Sequence, residues 1–291
     1  MFLQQVINGL MIGSVYSLVA IGYTLIFGLL NLLNFAHGNV LMLGAFMGFV
    51  VLSWLGLPIW IAFLGSLVGA GLLGLVIELL CFRRVKPDYA FAPALSTMAL
   101  SMVMIELTRR VFGTVPIALP KVVGVVNFTF GELMVSSVQL MILGIAIVLM
   151  VALELLIYRT KIGYALRAVS ENAGTAKLLG VNVPRTIMFA FFVSSALAGI
   201  AGLLLALRMG LADPNIGMSF GLKALAVMVI GGLGNLRGAM IGGIIAGVAE
   251  ALAQAYSSAA VANMIVWAIL IVILVFRPGG LFGTRLQMER A

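Results

Sequence analysis

Charge is what this chain has least of. Only 9% of its 291 residues are Asp, Glu, Lys or Arg, and 63% are apolar, where a soluble domain carries about 25% charged residues. That deficit excludes a water-soluble globular domain and points to an all-α polytopic membrane protein. Cysteine is nearly missing as well. The single Cys81 excludes an internal disulfide and a cysteine-based metal cluster. The lone histidine, His37, leaves too little for a metal site or a Ser-His relay. No Walker-A phosphate loop, HExxH or GxSxG motif is present, so an intramembrane enzyme has no support. No catalytic residue, metal or cofactor is expected, and any ATP must be bound by another chain. The N-terminal MFLQQVINGL lacks the basic n-region of a cleavable signal peptide, so the first helix is expected to act as its own insertion signal.

What is present is a series of long apolar runs, and the mean hydropathy is +1.23. A span needs about 20 mostly apolar residues. Eight runs qualify: Val6–Leu30, Val40–Trp54, Ile59–Phe82, Pro93–Val111, Val135–Tyr158, Thr186–Leu207, Ala239–Tyr256 and Val261–Phe276. A ninth, Phe220–Ile230, is too short to cross alone and reads as a short or broken helix. About eight to nine transmembrane or broken helices are therefore expected, in a single domain over 1–291. The alternation at Val125–Phe130, followed by Gly131, predicts a small hairpin outside the lipid.

The net charge of +8 is no nucleic-acid signal, because the charges are sparse and sit at the ends of apolar runs. Placing the Arg83 loop, Arg159 with the Lys161–Arg185 segment, Arg237 and the tail from Arg277 on one side collects 12 of the 17 basic residues there. By the positive-inside rule that side is cytoplasmic. Arg109, Arg110, Lys121 and Arg208 fall opposite. An odd number of crossings then puts the N-terminus outside. Gly pairs at four-residue spacing (9/13, 44/48, 65/69, 238/242 and 243/247) predict close helix packing.

Four intramembrane carboxylates need partners. Glu78 is expected to snorkel or pair near Arg83, Glu106 to pair with Arg109 or Arg110 at helical spacing, and Glu154 to lie at the interface near Arg159. Glu250, with no base nearby in sequence, should face the bundle interior, as a structural hydrogen-bond acceptor or as part of a transport path. Asn34-Phe-Ala-His-Gly38, with Asn31 and Asn39, interrupts two apolar runs. It is either polar backbone lining a cavity or a cytoplasmic turn capped by Asn34.

The longest stretch that cannot enter lipid is Lys161–Arg185. Ala165, Leu166, Val169, Ala173, Ala176, Leu178 and Leu179 recur at roughly helical spacing, Gly180 provides a stop, and Pro184 starts the next span. Such a helix could lie on headgroups, but Ala173 and Ala176 insert poorly, and a small apolar face flanked by Arg167 and Lys177 suits a groove on a protein.

Three separated motifs resemble the integral-membrane permeases of high-affinity branched-chain amino acid ABC transporters, in particular the shorter of the two paired permeases. They are Gly22-Tyr-Thr-Leu-Ile-Phe-Gly28 followed by Asn34-Phe-Ala-His-Gly38; Gly163, Ala165, Arg167-Ala168, Ala176 and Gly180; and Gly231-Gly-Leu-Gly234 with Gly238, Gly242-Gly243 and Glu250. The tail Phe276-Arg-Pro-Gly-Gly-Leu-Phe-Gly283 is also similar. The resemblance implies an importer permease bundle in the bacterial cytoplasmic (inner) membrane. Its implied partners are a homologous second permease, two cytoplasmic ATPases and an extracytoplasmic binding protein, and ATP hydrolysis would fall to the ATPases. It also implies an ATPase-coupling helix at Glu171–Gly180, with Arg167, Glu171, Asn172, Ala173, Ala176, Lys177 and Gly180 as contact residues. Asn34, His37, Asn39 and Glu250 are expected along the substrate path. Related permeases carry urea, short amides or aromatic acids, and an ion-coupled secondary transporter is the alternative mechanism.

Overall fold

The computed structural model describes residues 2–85, 91–120, 126–130 and 133–283. Lys86, Pro87, Lys121, Val125, Gly131, Arg285 and Arg290, which enter the sequence expectations above, lie outside the described residues. In chain order the helices are α1 (Phe2–Leu30), α2 (His37–Phe49, extended by a π-helical turn Val50–Trp54), α3 (Ile59–Ile77, extended likewise over Glu78–Arg83), α4 (Ala92–Phe112), α5 (Ser137–Arg159), α6 (Lys161–Glu171), α7 (Ala173–Leu178), α8 (Val183–Met209), α9 (Ile216–Gly231), α10 (Leu236–Tyr256) and α11 (Ala259–Phe276). Seven of them are long and apolar enough to cross a membrane. Helix α4 has the length, 21 residues, but carries Glu106, Arg109 and Arg110. Helix α9 is the short one, at 16 residues. The expected eight long elements and one short one are thus all found.

The caps explain most of the boundaries. Ser136 forms a capping box with Gln139 at the start of α5. Thr160, Asn172, Asn182, Asn235 and Ser258 each accept a hydrogen bond from a first-turn amide of α6, α7, α8, α10 and α11. Each satisfies a donor that has no partner within its helix.

In lipid the hydrophobic effect gives helices no reason to associate, so small side chains must allow backbones to meet. Helices α1 and α10 run antiparallel with Gly9 and Gly13 against Gly243 and Gly247, backbone on backbone. Ser17 Oγ donates across the same seam to the Met240 carbonyl at 2.6 Å. A second seam joins α2 to α8 and α3. Gly44 lies on Gly199, Gly202 lies on the Leu41 carbonyl, and Ser66 Oγ donates to the Gly44 carbonyl at 2.8 Å. The Gly238/Gly242 pair packs on Gly231, whereas Gly65 and Gly69 face the side chains of Val51 and Met47. Helices α1 and α8 are buried along nearly all their length, and α3, α5 and α11 are the most exposed of the membrane-length helices.

The ends of the bundle differ. At one end, β2 (Asn127–Phe130) pairs antiparallel with β3 (Leu133–Ser136), and β1 (Ile117–Ala118) pairs with β4 (Leu211–Ala212). The hairpin was legible from alternation, but the β1–β4 bridge, between segments far apart in sequence, was not. The N-terminus is tied to this end, where Gln4 exchanges hydrogen bonds with the Met134 backbone at 2.8 and 2.9 Å. At the other end lie α6, α7 and the tail after α11. The tail docks under the α9–α10 turn, with the Leu281 and Phe282 amides donating to the carbonyls of Ile230 and Gly231.

A seam closed by backbone contact tolerates no side chain. Gly247→Leu should destabilise the detergent-solubilised protein by about 1–3 kcal/mol or more, seen as a fall of several degrees in its thermal unfolding midpoint. Gly144→Leu, on α5 where a Cβ meets nothing within 4 Å, should leave that midpoint unchanged.

Candidate functional site

Three polar regions stand out from the apolar bundle. The first is the α6–α7 segment. Its apolar periodicity predicts one continuous helix, but the backbone breaks at Asn172 (φ −157°, ψ 105°), whose Oδ1 accepts from the Thr175 amide at 2.9 Å. Asn competes with helix by capping a new one, so one amphipathic helix becomes two with different faces. Helix α6 turns Gly163, Leu166 and Val169 inward. A Cβ at Gly163 would strike the Leu156 and Ile157 carbonyls, which is how α6 folds back so tightly on α5. In α7, Ala176 is 2% exposed, Ala173 lies on the surface, and Leu178 and Leu179 stand 89% and 78% exposed. Gly180 closes the segment at φ +86°, with its amide and that of Val181 bonded to Lys177 and Ala176. The apolar surface offered outward is therefore the leucine pair rather than the alanines.

Arg167 reaches back into the bundle. Its guanidinium lies over Tyr158 (5.3 Å) and Tyr164 (4.8 Å), and Arg237, from the start of α10, also lies over Tyr158 (5.2 Å). Arg237 is held by Glu154 at 2.7 Å, so Glu154 pairs with α10 and not with its sequence neighbour Arg159. Glu171, with Ser170, lines a cavity of about 240 Å³ against Gly28 and Gly234. The coupling segment, the end of α1 and the glycine turn thus meet at one place.

The second region is the α1–α2 break. Asn31 takes φ +53° and the chain re-enters the bundle. Asn34, His37 and Asn39 are all buried. Asn34 Oδ1 accepts from the Ala36 amide at 3.1 Å and its carbonyl accepts from the His37 amide at 3.2 Å. Asn34 closes a buried turn ahead of α2, whose N-cap is Ala36 with no side-chain cap. The His37 ring packs edge-on to Tyr23 at 4.5 Å, against Gly22. Asn39 Nδ2 donates to Ser101 Oγ at 2.6 Å and to the Ser101 carbonyl at 2.9 Å. Asn39 lines a cavity of about 350 Å³ between α2, α4 and α9.

The third region is a buried ion pair that sequence separation concealed. Glu250, expected to lack a base, receives Lys223 Nζ at 2.6 Å from α9 and the Tyr16 hydroxyl at 2.7 Å from α1. Lys223 also donates to Asn263 on α11 at 2.9 Å. Four helices are tied by one cluster. Toward the hairpin end a polar vestibule of about 340 Å³ follows, lined by Gln5, Asn8, Gln139, Arg208 and Gln254. The remaining carboxylates behave as read: Glu78 lies 3.7 Å from Arg83, and Glu106 lies 3.6 Å from Arg110. Arg109 instead donates to Asn215 at 2.8 Å.

Removing one partner of a buried pair leaves an uncompensated charge. Lys223→Met should therefore cost about 3–5 kcal/mol, and the double variant Lys223→Met/Glu250→Leu should recover most of it. Thermal unfolding of the purified variants checks this. A double variant no more stable than Lys223→Met would show that the cost does not come from an uncompensated Glu250 charge.

Residues 5–275 match the family described as branched-chain amino acid transport system / permease component. The chain is 33% identical to the high-affinity branched-chain amino acid transport system permease protein BraD of Pseudomonas aeruginosa, over 99% of this chain and 98% of that protein. It is 35% identical to the corresponding permease protein LivH of Escherichia coli K12, over 99% and 97%. Its fold is shared with the solved structure of PsaBC from Streptococcus pneumoniae in complex with Fab, at a TM-score of 0.52 and 14% identity, covering 99% of this chain and 95% of that one.

Proposed function

The chain belongs to the branched-chain amino acid transport permease family, and from that membership we propose that it is a permease subunit of an ATP-driven importer for branched-chain or similar hydrophobic amino acids. In this reading residues 1–291 form one transmembrane domain and 161–185 its coupling segment. A homologous second permease, two ATPases and a binding protein complete the machine. The single observation that carries the reading is α7. It is a capped helix of six residues at one end of a membrane bundle, presenting Leu178 and Leu179 to an aqueous side beside Lys177. Burying each leucine in a partner's cleft contributes about 1.5–3 kcal/mol. A chain without a nucleotide motif that offers such a surface fits a separate ATPase.

Charge supports the orientation. On the α6–α7 side stand Arg83, Arg84, Arg159, Lys161, Arg167, Lys177, Arg185, Arg237 and Arg277, and on the hairpin side Arg109, Arg110 and Arg208. The α6–α7 side is then cytoplasmic, as is the docked tail, and the N-terminus and hairpin face the binding protein.

The path from ATPase to bundle runs through α6. Arg167 on Tyr158, and Tyr158 on Arg237, link a movement of α7 to the start of α10, which carries the glycine seam. The ATPases switch the bundle only by binding its two states with different free energies. The ion-coupled alternative is weakened by the same geometry. Glu250, in the middle of the four-helix cluster, is already paired with Lys223.

Leu178→Glu/Leu179→Glu should abolish co-purification of the ATPases and ATP-driven leucine uptake by the reconstituted complex, while the permease unfolds at the wild-type temperature. Ala176→Arg should lower that temperature, because Ala176 faces inward. Normal ATPase association in the leucine double variant would remove the docking role.

A further inference from the structure

The vestibule beside Arg208 is lined mainly by polar side chains, whereas the cavity between α2, α4 and α9 is mostly apolar with one polar corner. Its outer wall is Met98 and Met102 of α4 and Met218 of α9, all three exposed. Its polar corner is the Asn39–Ser101 pair, with Tyr23 behind. Its floor is a crossing of α2 and α9 at Gly38, Gly217 and Gly221, where each glycine would place a Cβ against the other helix's backbone. Nothing larger than glycine keeps this floor open and its helices in register.

We propose that this cavity is the chain's half-site for the branched aliphatic amino acid in transit. The three methionines sleeve the side chain, and the Asn39–Ser101 pair meets the polar end. The proposal rests on the importer reading above. Ser101 Oγ accepts from Asn39 at 2.6 Å, which leaves its own proton free to donate and the Asn39 carbonyl oxygen free to accept. These are the two roles that a carboxylate and an ammonium group require. Left facing hydrocarbon, such a pair would be costly. At about 350 Å³ the cavity sits at the small end of ligand pockets, about 300–1,000 Å³, which suits a single amino acid. Methionine is unbranched and adaptable, and fills around leucine, isoleucine and valine alike. The open side of the cavity is where the paired permease would supply the other half. His37 packs against Tyr23 behind this corner, Asn34 lies in the turn before α2, and Glu250 belongs to the separate ion-paired cluster.

The test uses the complete complex in proteoliposomes, with Ser101→Cys as the probe. The native Cys81 is buried and gives the background. A charged, water-soluble thiosulfonate should modify Ser101→Cys well above that background. At a leucine concentration ten times its dissociation constant, occupancy alone should slow modification about tenfold. Met98→Cys, on the same wall and with no hydrogen bond to lose, should behave alike. Met102→Trp, which fills the sleeve, should raise the KM for leucine about tenfold or more in a complex that still assembles. Modification no faster than background, or equally fast with and without leucine in a complex that still imports leucine, overturns the half-site alone. A wild-type complex that imports no leucine removes the importer reading, and the half-site with it.

Discussion

Direct backbone contact between α1 and α10 is the constraint on which the rest of the bundle depends. Lipid tails are as apolar as leucine, so apolar area contributes little to holding helices together. Gly9 and Gly13 against Gly243 and Gly247 remove the side chains that would hold the two helices apart. Once α10 is seated there, its start places Arg237 over Tyr158 and its far half presents Glu250 to Lys223. The α2–α8 seam acts in the same way, and fixes the height at which α2 begins inside the bundle.

Between these seams the short helix α9 has three duties. It crosses α2 through glycines, supplies Lys223 to the buried cluster, and ends in the Gly231–Gly234 turn that the tail clamps from below. A longer helix could not start at the α2 crossing and still end at that turn. Its brevity is therefore a consequence of where its two glycine contacts lie. The same turn adjoins Glu171 across a small cavity, so the docking segment and the core share a boundary without sharing a helix.

Many of the buried polar groups are accommodated by geometry of this kind, while Asn34 Nδ2, both His37 ring nitrogens, Glu78 Oε2 and Ser195 Oγ are buried without a hydrogen-bond partner. Ser14, Ser17 and Thr24 bond carbonyls of their own helix, and Ser17 and Ser194 also bridge to a neighbour. Asn39 meets Ser101, and Glu250 meets Lys223 and Tyr16. The contacts between helices join residues from 27 to 234 positions apart, and each holds a helix pair at one rotation.

Some of this was written in the chain itself. Apolar run length determined the helices, because a span is a local property of about 20 residues. Capping residues placed the starts of α5, α8 and α10, the four-residue glycine spacing marked the tight faces, and the motifs from Gly22 to Gly283 identified the family. Charge near α6 and α7 marked the segment that cannot enter lipid. Only the tertiary structure decided the rest. It broke that segment at Asn172, turned Ala176 inward and left Leu178 and Leu179 outside. It gave Glu250 a base 27 residues away and set Asn39 at a cavity wall. The physical reason is the same in each case. Periodicity says which residues share a helix face, but which neighbour that face meets depends on how two backbones cross.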